Sequence, residues 1–112
     1  MKYFDVYQDL AHMTAIYPSK DLLDKLVYCS LGLAGEAGEF SNKVKKILRD
    51  DRKNLTFEKV LELEEELGDV LWYLTEATTI LGNKLSTIAQ MNINKLKDRQ
   101  KRDKLKGRGD KR

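Results

Sequence analysis

Glu62-Leu63-Glu64-Glu65-Glu66-Leu67-Gly68-Asp69-Val70-Leu71-Trp72-Tyr73-Leu74, residues 62–74, carries two patterns at once. Turned at about 100° per residue, Leu63, Leu67, Val70 and Leu74 form one apolar stripe. Glu62, Glu66, Asp69 and Tyr73 follow i, i+4, i+7 and i+11 along its edge. The period is helical, so Glu66 and Asp69 are expected to border a core. Glu64, Glu65 and Glu76 fall farther round and are expected in solvent. Trp72 points almost opposite the Leu67 stripe, with Leu61, Gly68 and Thr79. Such a tryptophan needs cover, either from packing within the bundle or, as the favoured expectation, from a subunit interface, since exposed aromatic patches mark interaction sites.

The same pairing of acids occurs earlier in the chain, in Glu36-Ala37-Gly38-Glu39. Acids three apart on a helix project from one face. Cys29, Leu33, Phe40 and Ile47 line the inner face of this earlier helix. Glu36 lies in the middle of that face and Glu39 at its edge. Lys43 and Lys46 follow seven residues beyond Glu36 and Glu39 and fall on the same side. Gly32, Gly35 and Gly38 each cost helix propensity, about 1 kcal/mol relative to Ala, which points to close approach of a neighbouring helix or ligand. Two such helices packed antiparallel bring four carboxylates together. Like charges at that range in a half-buried cleft repel by several times thermal energy, so the cluster must bind cations or protonate. Hard oxygen ligands favour Mg²⁺, with Mn²⁺ as a substitute, over zinc.

Pro18 lies in the polar stretch Tyr17-Pro18-Ser19-Lys20 and separates a short first helix, roughly 3–15, from a second running from about 20 to 49. Ser19 or Asp21 caps the second. Residues 50–54 form a polar connector, and Thr56 is a good N-cap for the third helix, which runs to about Leu81. Gly82-Asn83 is a stop signal. A fourth helix runs from near Lys84 to about 105, and Gly107 and Gly109 end it. There is no internal repeat and no useful strand-like alternation. The fold class is all-α, a bundle of about four helices. Residues 1–106 read as one domain and 107–112 as a basic tail.

Composition narrows the function classes. No apolar run approaches the ~20 residues that span a bilayer. The N-terminus has no basic region followed by an apolar stretch, so a signal peptide is not expected. Cys29 is the only cysteine and His12 the only histidine, which removes an internal disulfide and a His/Cys zinc cluster. A cytoplasmic location follows as the expectation. The net charge is +3, unevenly spread: residues 95–112 hold ten Lys/Arg against three Asp. No aromatic residue is interleaved with these charges, so nucleic-acid binding is not the expected role of the tail.

In the fourth helix Leu85, Ile88, Asn92, Lys95, Leu96 and Arg99 share one face. Lys95 and Arg99, at i and i+4, can clamp phosphate oxygens, with Asn92 adding a hydrogen bond. The spacing serves equally for side chains whose stems pack while their heads reach water.

Taken together, Glu36/Glu39 and Glu66/Asp69 resemble the ExxE and ExxD motifs of the MazG-type nucleotide pyrophosphohydrolases, an all-α superfamily that includes dimeric dUTPases and dCTP pyrophosphatases. The strings GLAGEAGEFSNKVKK and EELGDVLWYL match the family pattern beyond the four acids. NINKLKDR resembles the family's distal Asn…Lys…Arg element, where Asn92 fits the helical face and Asn94 fits some family spacings. Tyr73 resembles a substrate-contacting tyrosine of the dCTP-specific branch. The ending GRGDKR is similar to the tail of small phage-like or bacterial members. The resemblance covers about residues 5–112.

The resemblance implies Mg²⁺-dependent hydrolysis of (deoxy)nucleoside triphosphates between the α and β phosphates, giving monophosphate and pyrophosphate, in control of the nucleotide pool. It implies Glu36, Glu39, Glu66 and Asp69 as metal ligands and Glu39 as the group that orients or deprotonates water. Lys43, Lys46, Tyr73, Asn92, Lys95 and Arg99 are then substrate-binding residues. It also implies a homodimer or homotetramer whose pocket includes a neighbour, with the GRGDKR tail reaching toward it. Lys46 stands near the place where the dCTP branch often carries a base-stacking tryptophan, and Tyr17, Tyr28 and Phe40 are the aromatic substitutes on offer. Base preference is therefore open. Two alternatives stand beside this activity: phosphoribosyl-ATP pyrophosphohydrolase, and a non-catalytic helical oligomer that binds nucleotide or RNA.

Overall fold

A computed structural model describes residues 1–112 as four helices without a strand: α1 Lys2–His12, α2 Leu22–Asp50, α3 Phe57–Ile80 and α4 Leu85–Lys101. The caps explain the boundaries. Asp21 Oδ1 accepts from Asp24 N at 3.0 Å and starts α2. Thr56 Oγ1 accepts from Lys59 N at 3.3 Å and starts α3. Gly82, at φ +75°, closes α3: its N–H donates to Thr79 O, and Asn83 N–H to Thr78 O. That left-handed turn is one glycine takes at little cost. Two ends differ from the expected ones. The first helix stops at His12 instead of about 15, where Thr14 turns the chain and donates its hydroxyl to Ala11 O at 2.7 Å. The fourth stops at Lys101 instead of about 105, because Asp103 adopts φ +56°.

The α2–α3 hairpin is the main packing unit, and its short connector forces the two long helices antiparallel. The N-terminus of α4 has no side-chain cap of its own. Helix α1 supplies one: Gln8 Oε1 accepts from Leu85 N (2.8 Å), and Asp5 Oδ1 from Ser86 N (3.1 Å). Gln8 Nε2 also donates to Thr79 Oγ1 and Asn83 O, both at 2.9 Å. One glutamine thus ties α1 to the α3–α4 corner. Helix α4 packs on α1 and α3 but not on α2.

The packed face of α3 is turned from the expected stripe. Leu67 is 49% exposed, whereas Leu63, Glu66, Val70 and Tyr73 are half-buried. Glu76, expected in solvent, is fully buried, and its two oxygens lie 3.1 and 3.2 Å from His12 Nδ1. Helix α1 covers the face on which Glu76 stands, and a buried carboxylate needs such a partner.

Only eight of 112 residues are buried, and five of those are polar or charged. The radius of gyration is 16.9 Å, where a compact domain of this length has about 13 Å. Leu22, Leu23, Leu31, Leu48 and Phe57 are all more than half exposed. A single chain leaves much apolar surface uncovered. No helix is long and apolar enough to cross a membrane.

Candidate metal centre

Glu36 from α2 and Glu66 and Asp69 from α3 each offer a carboxylate oxygen, and the three lie within 4.8 Å of one another. The i, i+3 spacing sets Glu66 and Asp69 on one side of α3, and the hairpin brings Glu36 across to them. Lys43, seven residues past Glu36, places its Nζ 2.8 Å from Glu66 Oε1. Glu66 Oε2 is buried and has no partner. Its neighbour is the Glu36 carboxyl, and two ionised carboxylates have no hydrogen to share. Only a proton or a cation joins them.

The titration follows that geometry. The adjacent Glu66 carboxyl, then burial, then the charges of Asp69, Glu66 and Glu39 hold the Glu36 carboxyl above its usual range. Glu66 moves down, first through its contact with Lys43 and then through the neighbouring Glu36 carboxyl. The Lys43 ammonium is held above its usual value by the same bond to Glu66. The acids thus favour a shared proton or a cation between Glu36 and Glu66, while Lys43 offsets the charge on Glu66. Divalent cations fit this donor set: three clustered hard oxygen donors, with Glu66 Oε2 buried and without a hydrogen-bond partner in the chain.

A cleft of about 370 Å³ opens beside the acids, lined by Thr14, Glu36, Asp69, Trp72 and Tyr73. Tyr73 lies against Gly32 so closely that an added Cβ would stand 2.2 Å from Tyr73 Cε1. Gly32 therefore meets the close approach expected of it, whereas an added Cβ at Gly35 or Gly38 meets nothing within 4 Å. The Tyr73 ring packs on Trp72 at 5.0 Å and on Tyr28 at 6.2 Å between centroids. Trp72 does not await a neighbouring subunit for its indole N–H. It is half-buried, and Nε1 donates to Thr14 Oγ1 at 2.9 Å. Behind this wall Tyr17 OH lies 3.6 Å from Cys29 Sγ, and burial pushes both groups up. That makes Cys29 a poor nucleophile.

The other candidates are placed as follows. Glu39 is exposed and stands outside the trio, though its charge reaches Glu36. Lys46 lines a separate hollow of about 190 Å³ with Lys43, Asp51, Lys59 and Glu62. Asn92 is exposed, and Asn94 Oδ1 accepts from Gln90 Nε2 at 2.8 Å. Lys95 and Arg99 pair with Asp110 of the same chain. No residue of α4 lines the acidic cleft. Sequence reasoning missed three residues beside the acids: Thr14, Trp72 and Tyr7, whose hydroxyl is pushed up by burial and by the Asp69 charge. Of these only Trp72 carried a usable signal, its place next to Tyr73.

Comparison with known proteins agrees with this architecture. The family described as the MazG nucleotide pyrophosphohydrolase domain matches residues 28–103, a span holding all three clustered acids and α4. The chain is similar to the "Gene 37 protein" of Mycobacterium phage L5, 48% identical over 111 residues, covering 96% of this chain and 97% of the relative. No solved structure matches. The chain belongs to the MazG nucleotide pyrophosphohydrolase domain family.

Proposed function

We propose that the protein hydrolyses nucleoside triphosphates to monophosphate and pyrophosphate, with Mg²⁺ held by Glu36, Glu66 and Asp69 and with Glu39 beside them. The buried Oε2 of Glu66, which no group of the chain partners, carries the proposal, because Glu66 belongs to three acids whose oxygens lie within 4.8 Å of one another. Bound Mg²⁺ supplies Lewis acidity and a water of lowered pKa. The chain's own residues do the rest. Lys43 keeps Glu66 ionised, and so fit to ligate, through its 2.8 Å contact. Glu39, exposed one turn beyond Glu36, takes the proton of the attacking water. The water oxygen bonds to the α phosphorus, the bond from that phosphorus to the α–β bridging oxygen breaks, and pyrophosphate leaves. Tyr73 and Trp72 wall the cleft and offer aromatic faces to a base.

Lys46, Asn92, Lys95 and Arg99 complete the site as cations and donors for the phosphates. Because α4 does not reach its own acidic cleft, its basic end serves the cleft of a second copy in a homodimer or homotetramer. The exposed Leu22, Leu23, Leu31, Leu48 and Phe57 supply the surface for that assembly.

The test is turnover of canonical and damaged (d)NTPs, with phosphoribosyl-ATP included and products identified. Pyrophosphate release that needs Mg²⁺ and is lost in Glu66→Gln and Asp69→Asn is expected. Orthophosphate as the sole product, or turnover unaffected by both substitutions, overturns the proposal.

A further inference from the structure

Gly107-Arg108-Gly109-Asp110-Lys111-Arg112 forms a folded hook on α4, where a neighbour-reaching tail was expected. Gly107 and Gly109 adopt φ of +119° and +80°, and glycine alone takes such a pair of turns readily. Arg112 ties the hook down: Nε donates to Lys104 O (3.1 Å), Nη1 to Gly109 O (2.6 Å) and Nη2 to Leu105 O (3.1 Å). Arg102 Nη2 donates to Arg112 O at 2.8 Å and closes the loop.

The hook delivers one carboxylate to one place. Asp110 Oδ1 lies 2.6 Å from Lys95 Nζ and 3.0 Å from Arg99 Nη2, and Arg99 Nη2 also donates to Asp110 O. Arg99 is the buried member of this group, its side chain 6% exposed, yet its Nε has no partner. A buried guanidinium with an unfilled donor is a seat for an anion carrying more oxygens than one carboxylate presents. The same cations pull the Asp110 carboxyl below its usual range, so the occupant is held as an anion.

We propose that Asp110 is an internal competitor for phosphate: it occupies the Lys95–Arg99 seat until the pyrophosphate end of a nucleotide displaces it. The nature of the displacing anion rests on the pyrophosphohydrolase function proposed above. The carboxylate lies eleven residues from Arg99 on a hook pinned to the end of α4, so it competes intramolecularly. A diphosphate brings more charge and more acceptors and can also fill Nε. The tail thereby sets affinity for the substrate and for the pyrophosphate left after cleavage. A tail closed roughly four-fifths of the time weakens apparent affinity about fivefold.

The experiment is calorimetric titration of inorganic pyrophosphate, and separately of a nucleoside monophosphate, into the full chain without divalent metal, so that neither turnover nor the acidic trio takes part. Four proteins are compared: wild type, Asp110→Asn, Lys95→Gln, and Asp103→Asn, which removes an equal charge from the same tail without touching the seat. Asp110→Asn is expected to bind pyrophosphate about fivefold tighter, with a smaller gain for the monophosphate, while Asp103→Asn matches wild type. Lys95→Gln is expected to weaken binding. Unchanged affinity in Asp110→Asn, an equal gain in Asp103→Asn, or full affinity in Lys95→Gln each overturns the proposal. Circular dichroism confirms that the variants are folded, and none of the three substitutions lies at a buried position. Failure of the turnover screen with tighter pyrophosphate binding in Asp110→Asn would leave the seat intact and remove only the assigned reaction.

Discussion

Lys43 Nζ stands 2.8 Å from Glu66 Oε1, while the other oxygen of that carboxylate is buried and unpartnered. One side of Glu66 is thus satisfied by the chain, and the other is the side the proposed cation would use. Lysine on this side keeps Glu66 ionised without filling the centre of the trio. Lys43→Met removes the compensating charge and leaves Glu66 facing Glu36. The metal-free protein is expected to melt at lower temperature than wild type. Saturating Mg²⁺, which adds about 2.7 kcal/mol at one hundred times its dissociation constant, is expected to recover most of the loss. Melting with and without Mg²⁺ checks this, and equal Mg²⁺ shifts in Lys43→Met and Glu66→Gln would contradict it.

Gly32 and Gly35 occupy neighbouring turns of α2 and are predicted to behave oppositely. A Cβ at Gly32 falls on the Tyr73 ring, so Gly32→Ala is expected to cost about 1–3 kcal/mol, as overpacking does, and to displace Tyr73 from the cleft. Gly35→Ala meets open space and is expected to stabilise by up to about 1 kcal/mol through helix propensity. Denaturant midpoints of the two variants decide.

Asp5 caps α4 from another helix, and its carboxyl is held below the ordinary value of 3.8, chiefly by the Ser86 hydroxyl. A carboxyl lowered on folding stabilises above its unfolded value and loses that contribution as pH falls through the folded one. The melting-temperature gap between wild type and Asp5→Ala is therefore expected to be full at neutral pH and to shrink below about pH 4. A gap constant down to pH 2 would contradict the capping role.

The proposed sharing of one site between the acids of one subunit and the cations of another predicts complementation. Glu66→Gln and Lys95→Gln chains, each inactive alone, are expected to regain about a quarter of wild-type turnover when unfolded together and refolded as a two-fold dimer, half of whose molecules carry one intact site. No recovery on mixing would mean that each chain builds its site alone.

Helix order and both carboxylate motifs were legible because caps and periodicity are local. Thr56, Asp21 and Gly82 act on the backbone within four residues of themselves. The rotation of α3 was not legible. Leu63 and Val70 of the expected stripe stay half-buried, but the packed face continues through Glu66 and Tyr73 instead of Leu67 and Leu74, because Gly32 lets the tyrosine ring settle on α2. Glu76 was read as solvated for the same reason: whether His12 would arrive over it depended on how α1 docks, 64 residues away in sequence. The tail was read by charge alone, and its one acidic residue in the last six, Asp110, organises the hook.

Manganese substitutes for magnesium at hard oxygen sites and scatters anomalously, so crystals grown with Mn²⁺ locate the ion directly. The expected result is an anomalous peak within ligand distance of Glu36, Glu66 and Asp69, absent from Glu66→Gln crystals. Manganese bound elsewhere, with the three carboxylates turned apart, would contradict the account.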